Sequence, residues 1–141
     1  MLAGGGRRLC DESVQLTMPR ILIVDDEPSI IQLLCLRLKA HGYAVDFAYD
    51  GPAGLECAQA NPPDLIVLDV YMPLVNGIET LELLKADERT RHLPVVMLTG
   101  VEQPEIMRRL RELGADLILI KPIDTDQLVQ ELDRLLPADS S

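Results

Sequence analysis

A chain of 141 residues, 48% of them hydrophobic, can bury one good core but is too short for two ordinary domains. Its 23 acidic residues against 13 basic ones give a formal net charge of -10. Such a surface repels a phosphate backbone, and no basic run or aromatic-and-basic face offsets it, so nucleic acid is not an expected direct partner. Nor is a membrane: no apolar stretch approaches the roughly 20 residues of a span, the first residues lack the apolar block of a secretory signal, and the expected location is cytoplasmic.

Residues 1–18 carry a Gly run and no sustained periodicity, which predicts a flexible N-terminal arm; the compact pattern begins directly after Met18, which could be the native start. One domain is expected over residues 19–137, with a short tail over 138–141. From Arg20 onward, short apolar runs alternate with helical patterns, as repeated βαβ units and a buried parallel sheet require. The blocks Ile21 to Val24, Leu65 to Leu68, Val95 to Leu98 and Leu117 to Ile120 are rich in branched side chains, as strands covered on both faces should be. The weaker run Tyr43 to Ala48, interrupted by Asp46, reads as an edge strand.

Five helices are expected between and after these strands. The first opens at Pro28, ends near His41 before Gly42, and has Ile31, Leu34, Cys35 and Leu38 as its inner stripe. The second runs near Pro52 to Ala60 and is stopped by Pro62 and Pro63. Asn76 and Glu79 form a capping box for the third, which presents Ile78, Leu81 and Leu84 inward. The fourth buries Ile106, Met107, Leu110 and Leu113 and stops at Gly114. Asp124 and Gln127 cap the fifth, which buries Leu128, Leu132, Leu135 and Leu136. Cys10, Cys35 and Cys57 are odd in number and far apart, which suits neither a disulfide framework nor a metal knuckle; Cys35 and Cys57 read as small core residues. The predicted class is therefore α/β: right-handed crossovers lead to a doubly wound parallel sheet, for which the flavodoxin-like strand order is 2-1-3-4-5, with ligands bound at the carboxyl ends of the strands.

What stands at those ends carries the chemistry. Val24 is followed by Asp25 and Asp26, Leu68 by Asp69, Leu98 by Thr99 and Ile120 by Lys121. Each position alone is ordinary, because strands commonly enter loops through polar residues. Together they put three carboxylates, a hydroxyl and an ammonium on one rim. Carboxylates so close repel one another, and the mismatch must be relieved by protonation, by cations, or by both. Lys121 supplies one charge; Mg²⁺, which takes one or two carboxylates and completes its shell with water and a phosphate oxygen, is the natural candidate for the rest. A rim of this kind suits a phosphoryl group.

The motifs DDEP at Asp25 to Pro28, DVYMPLVNG at Asp69 to Gly77, LTG at Leu98 to Gly100 and KP at Lys121 and Pro122 resemble those of the receiver domain of two-component response regulators, in the family's order and over about residues 19–137. The resemblance implies that Asp69 is the phosphoacceptor, that Asp25 and Asp26 hold Mg²⁺ with Asp69 and the backbone carbonyl of Tyr71, and that Thr99 and Lys121 bind phosphoryl oxygens. It implies a signalling module that assists its own phosphorylation and dephosphorylation rather than an enzyme. Its partners would be a sensor histidine kinase or phosphotransfer protein and a downstream protein, with a phosphorylation-dependent homodimer as a further option. The chain departs from the family at Ile118 and Ile123, where aromatic residues are common, which puts the usual relay to the surface in doubt. Tyr71 would stand over the route of the attacking water and slow dephosphorylation, or would merely lie on an exposed loop; Val101 offers no group to orient that water. Leu33 and Leu36 point away from the inner stripe, for docking of a partner helix bundle or for packing on neighbouring helices. His41 and His92 have no companions at metal spacing and read as solvent-facing.

Other readings are poorer fits. A haloacid-dehalogenase-type phosphatase needs a second aspartate where Tyr71 stands, and a dinucleotide-binding oxidoreductase needs a Gly-rich fingerprint after the first strand. A pseudo-receiver that only binds proteins would have no use for the complete acidic set. The sequence stops at PADSS after the last helix, so output is expected through protein binding or onward phosphotransfer, unless the chain is the receiver fragment of a longer regulator.

Overall fold

The computed structural model describes residues 18–72 and 75–136. The arm expected before Met18, with Cys10, and the tail over 138–141 lie outside the described residues. Five strands and five helices alternate: β1 (Arg20–Val24), α1 (Pro28–Ala40), β2 (Ala44–Ala48), α2 (Gly51–Ala60), β3 (Leu65–Asp69), α3 (Gly77–Ala86), β4 (Val95–Thr99), α4 (Pro104–Glu112), β5 (Leu117–Ile120) and α5 (Thr125–Leu135). The strands form one parallel sheet in the order β2-β1-β3-β4-β5, so β2 is an edge, as its mixed composition predicts.

Period-two alternation along each strand divides the interior into two layers. Ile21, Ile23, Leu65, Val67, Val96 and Leu98 face α1 and α5, while Leu22, Val24, Ile66, Leu68, Val95 and Met97 face α2, α3 and α4. Because helices cover both faces, every residue of β3 and β4 is buried, and both strands read in sequence as unbroken apolar runs rather than alternating ones.

The helix ends follow their local chemistry. Asn76 accepts a hydrogen bond from the Glu79 N–H, and Glu79 returns one from the Asn76 N–H, so the expected capping box closes. Asp124 accepts from the N–H groups of Asp126 and Gln127. Gly42, at φ +100°, turns the chain out of α1 in the left-handed region that favours glycine.

Some expected core positions are only partly covered. Cys35, Ile78, Ile106, Met107, Leu113, Leu135 and Leu136 are half-buried; Leu113 and Leu136 stand just past the ends of α4 and α5. Cys57 is exposed and not a core residue: on α2 the inward positions fall to Gly51, Gly54 and Ala58, and Cys57 lies off that face. Leu36 is 70% exposed, so packing on neighbouring helices does not account for it; Leu33, at 42%, also faces outward. His92 is exposed. His41 is exposed as well, but its Nε2 lies 3.0 Å from Asp133 Oδ2, and the same carboxylate accepts from the Tyr43 hydroxyl at 2.5 Å, joining the end of α1 to α5. Burial, then the Asp133 bond and charge, pushes the Tyr43 phenol well above its usual range, and the Tyr43 bond holds Asp133 below the ordinary carboxylate value.

Candidate functional site

Parallel pairing is what gathers the polar residues. Asp25 continues from β1 and donates its N–H to the Ala48 carbonyl at the end of β2. Asp69 is the last residue of β3, in register with Leu98, and Thr99 is the last of β4, in register with Ile120. The Lys121 N–H donates to the Thr99 carbonyl at 2.8 Å. Strands that all run one way end on one rim, so residues up to 96 positions apart in the chain, from Asp25 to Lys121, meet there.

Asp25 and Asp69 are buried at 0% and 3% exposure, whereas Asp26 opens toward solvent. Each of the three can offer a carboxylate oxygen within 4.8 Å of the others. The Lys121 ammonium sits over them, 3.3 Å from Asp69 Oδ1 and 3.4 Å from Asp25 Oδ2. A third carboxylate, Glu27 Oε1, also lies 3.4 Å from it. Asp25 Oδ1 accepts the Glu27 N–H at 2.9 Å, but Asp25 Oδ2 is buried without a hydrogen-bond partner. The Lys121 ammonium at 3.4 Å is the one cation beside that oxygen among the described residues, and a buried carboxylate oxygen without a hydrogen bond leaves room for a second.

The electrostatics agree. Burial, reinforced by the neighbouring Asp25 charge and opposed by Lys121, raises the Asp69 carboxyl from 3.8 to about 6. Burial also raises Asp25, against the pull of the Glu27 N–H and Lys121. For Lys121, burial acts downward, but the charges of Asp69 and Asp25 and the bonds to Asp69 and Glu27 outweigh it, and the ammonium is held above its usual value. One positive charge therefore stabilises the acidic cluster without neutralising it. The donor set is all oxygen, compact, and includes a buried oxygen that makes no hydrogen bond; it fits a hard divalent ion such as Mg²⁺.

The remaining predicted positions divide. The Thr99 hydroxyl is buried and turned along its own loop, donating to the Val101 carbonyl at 3.1 Å and accepting the Val101 N–H at 3.2 Å. Tyr71 is 48% exposed beside the rim, and Ile118 is half-buried against the layer that holds α4. Two features of the site were not foreseen. Glu27 pairs with Lys121, although its place directly after the acidic pair was a signal. Gly77 opens α3 so close to the end of β3 that an added Cβ would lie 2.1 Å from the Asp69 carbonyl oxygen, a constraint that only the three-dimensional approach reveals.

A doubly wound parallel sheet with an acidic cluster and a lysine at its carboxyl rim defines the class of α/β proteins that bind ligands where the strand order reverses. Comparison narrows it. A sequence model described as "Response regulator receiver domain" matches residues 21–133, and the chain belongs to that family. It is 41% identical over 119 residues to the DNA-binding dual master transcriptional regulator RpaA of Synechocystis sp., covering 84% of this chain and 49% of RpaA. It is 43% identical over 105 residues to response regulator PleD of Caulobacter vibrioides, covering 74% of this chain and 23% of PleD. Against protein PilH of Pseudomonas aeruginosa, identity is 34% over 119 residues, covering 84% of this chain and 98% of PilH. The chain thus spans about half or less of the first two relatives and nearly all of the third. Among solved structures, chemotaxis response regulator CheY4 of Vibrio cholerae superposes with a TM-score of 0.80 at 35% identity, over 85% of this chain and 100% of that one. Strand order, helix number and flavodoxin-like architecture are those of that structure, as the sequence predicts.

Proposed function

We propose that the chain is a phosphoacceptor that takes a phosphoryl group from a sensor histidine kinase or phosphotransfer protein onto Asp69 and signals through phosphorylation-dependent protein binding or onward transfer. The observation that carries this reading is the buried Asp69 carboxylate, 3.3 Å from Lys121 and within the 4.8 Å acidic cluster. At a pKa of about 6, Asp69 is mostly ionised near neutral pH, so it is already a nucleophile and needs no general base. One of its oxygens attacks phosphorus, the phosphorus–nitrogen bond of the donor phosphohistidine breaks, and the imidazole leaves with the bonding electrons. The product is a mixed anhydride, intrinsically open to hydrolysis.

Asp25, Asp26, Asp69 and the Tyr71 carbonyl would hold Mg²⁺, which when bound supplies charge neutralisation on the phosphoryl oxygens. Lys121 stabilises another of those oxygens. Thr99 reaches a third by giving up its bond to the Val101 carbonyl, and that rotation is how the loop after β4 would sense the modification. Because Ile118 is aliphatic, the change would pass to the surface through repacking rather than through an aromatic swing. Residues 19–137 make up the functional unit, within the cytoplasm; among the described residues no helix is long and apolar enough to cross a membrane.

Acetyl phosphate with Mg²⁺ should raise the intact mass by one phosphoryl group, and Asp69→Asn should abolish the adduct. Full labelling of Asp69→Asn, or labelling indifferent to chelation of the metal, would move the acceptor elsewhere.

A further inference from the structure

Lys121 is shared among three carboxylates, and they are not equivalent. Asp25 and Asp69 are buried members of the acidic cluster, whereas the Glu27 side chain is 57% exposed and approaches the ammonium from the solvent side at 3.4 Å. Glu27 is also the residue preceding α1, in extended backbone, yet its side chain makes no capping bond to that helix. An acidic side chain at a helix N-terminus ordinarily gains from capping or from the helix dipole. Here it forgoes the cap and reaches 94 residues along the chain to Lys121. Its backbone is fixed independently, since its N–H donates to Asp25 Oδ1 at 2.9 Å. The carboxylate is therefore tethered at the mouth of the rim and free to swing.

We propose that Glu27 is a placeholder for the phosphoryl group: its carboxylate occupies the outward side of the Lys121 ammonium and must yield when an anion arrives at Asp69. This rests on the reading of Asp69 as acceptor and adds the regulation of that site. An ammonium has three N–H donors, and three carboxylates already surround this one. An incoming phosphoryl oxygen must displace one of them. Asp25 and Asp69 are held by burial, so Glu27, which can return to water at little cost, is the one that leaves. Until it does, it adds a negative charge at the entrance and opposes free anionic phosphodonors. Glu27 is thus a positioning residue that acts through Lys121.

The reading makes two predictions of opposite sign. Glu27→Gln keeps the side chain's size but removes its charge, releasing Lys121 to an anion; at saturating Mg²⁺, beryllofluoride should bind about three- to five-fold more tightly, the size of a half-exposed ion pair. Mg²⁺ alone should bind more weakly, because a negative charge is lost near the ion while Lys121 is freed to compete for Asp25 and Asp69. A loosened fold would weaken both. Glu27→Asp retains charge but shortens the reach and favours capping of α1, so it should also tighten beryllofluoride binding, by less. Calorimetric titration of the full chain, with thermal melting to confirm that each variant folds, reads all of this. Unchanged or weaker beryllofluoride binding by a folded Glu27→Gln, with the native chain binding normally, overturns the placeholder and leaves the acceptor reading standing. Should Glu27→Gln fail to fold, equal or weaker binding by Glu27→Asp overturns it instead. If the native chain binds no beryllofluoride in Mg²⁺, the acceptor reading falls and the placeholder with it.

Discussion

Replacing Asp69 by asparagine removes a buried charge while nearly preserving shape, and the structure sets both the sign and the size of the effect on stability. The folded carboxyl titrates at about 6 against 3.8 for an ordinary aspartate. The native state therefore holds its proton more tightly than the unfolded chain. Between those two values it binds more protons, so stability falls as pH rises through the window and stays low above it. One unit is about 1.4 kcal/mol, and the gap makes ionised Asp69 cost about 3 kcal/mol at pH 7 but only about 1 kcal/mol at pH 4.5. Asparagine carries no such penalty. In metal-free buffer with a chelator, Asp69→Asn should be more stable than the native chain by about 3 kcal/mol at pH 7, or on the order of 10 °C in melting temperature for a domain of this size. The advantage should shrink steadily as the pH is lowered. Adding Mg²⁺ should recover stability in the native chain and much less in the variant, because binding to the folded state alone stabilises it by linkage. Urea titrations at several pH values, with and without Mg²⁺, measure all three trends. A variant no more stable than the native chain at pH 7, or an advantage that does not vary with pH, would refute the reasoning.

Other perturbations follow from the same geometry. Gly77→Ala forces a Cβ to within 2.1 Å of the Asp69 carbonyl, an obstacle made of backbone, and should destabilise by about 3 kcal/mol or more while impairing labelling of Asp69, as denaturation and intact-mass measurements would register. Tyr43→Phe removes the donor to Asp133 and should cost about 1–3 kcal/mol near neutral pH. Since Asp133 is held low and Tyr43 high, that cost should diminish below about pH 4, where the carboxylate takes a proton, and above about pH 10, where the unfolded phenol loses one. Asn76→Ala opens the capping box of α3 and should cost about 1 kcal/mol in denaturant midpoint analysis. Tyr71→Asn should hasten decay of the phosphorylated form, followed by loss of the mass adduct, if the exposed ring obstructs water; equal or slower decay in the variant would assign Tyr71 to the loop surface alone.

Most of the fold could be read from the chain because its strands are buried on both faces. Leu65 to Leu68 and Val95 to Leu98 announce themselves as apolar blocks, and the residues at their ends are then placed on one rim by parallel pairing alone. Helix faces were less legible, since they depend on how far neighbours extend. Cys57 sits near apolar positions in sequence, yet its helix turns its glycines and an alanine inward instead. The Tyr43–Asp133–His41 cluster joins residues 90 or more positions apart through single polar side chains that no periodicity marks.

The same distinction explains why the rim was legible in membership but not in state. Which residues stand at a strand's end is a matter of sequence; how the lone ammonium divides itself among Asp25, Asp69 and Glu27 depends on distances and on which carboxylates can return to water. Asp25 and Asp69 cannot, and their charge mismatch persists as a raised carboxyl at Asp69 and an oxygen of Asp25 without a hydrogen-bond partner. Both conditions are relieved by a cation and worsened by an anion arriving alone. On the proposed acceptor reading, a site built this way would couple the two: it would have little affinity for a phosphoryl group until the metal is present, and each would then stabilise the other. Beryllofluoride affinity should accordingly rise steeply with Mg²⁺ concentration, and Mg²⁺ affinity should rise by the same factor when beryllofluoride is added, a reciprocity that paired calorimetric titrations would test directly.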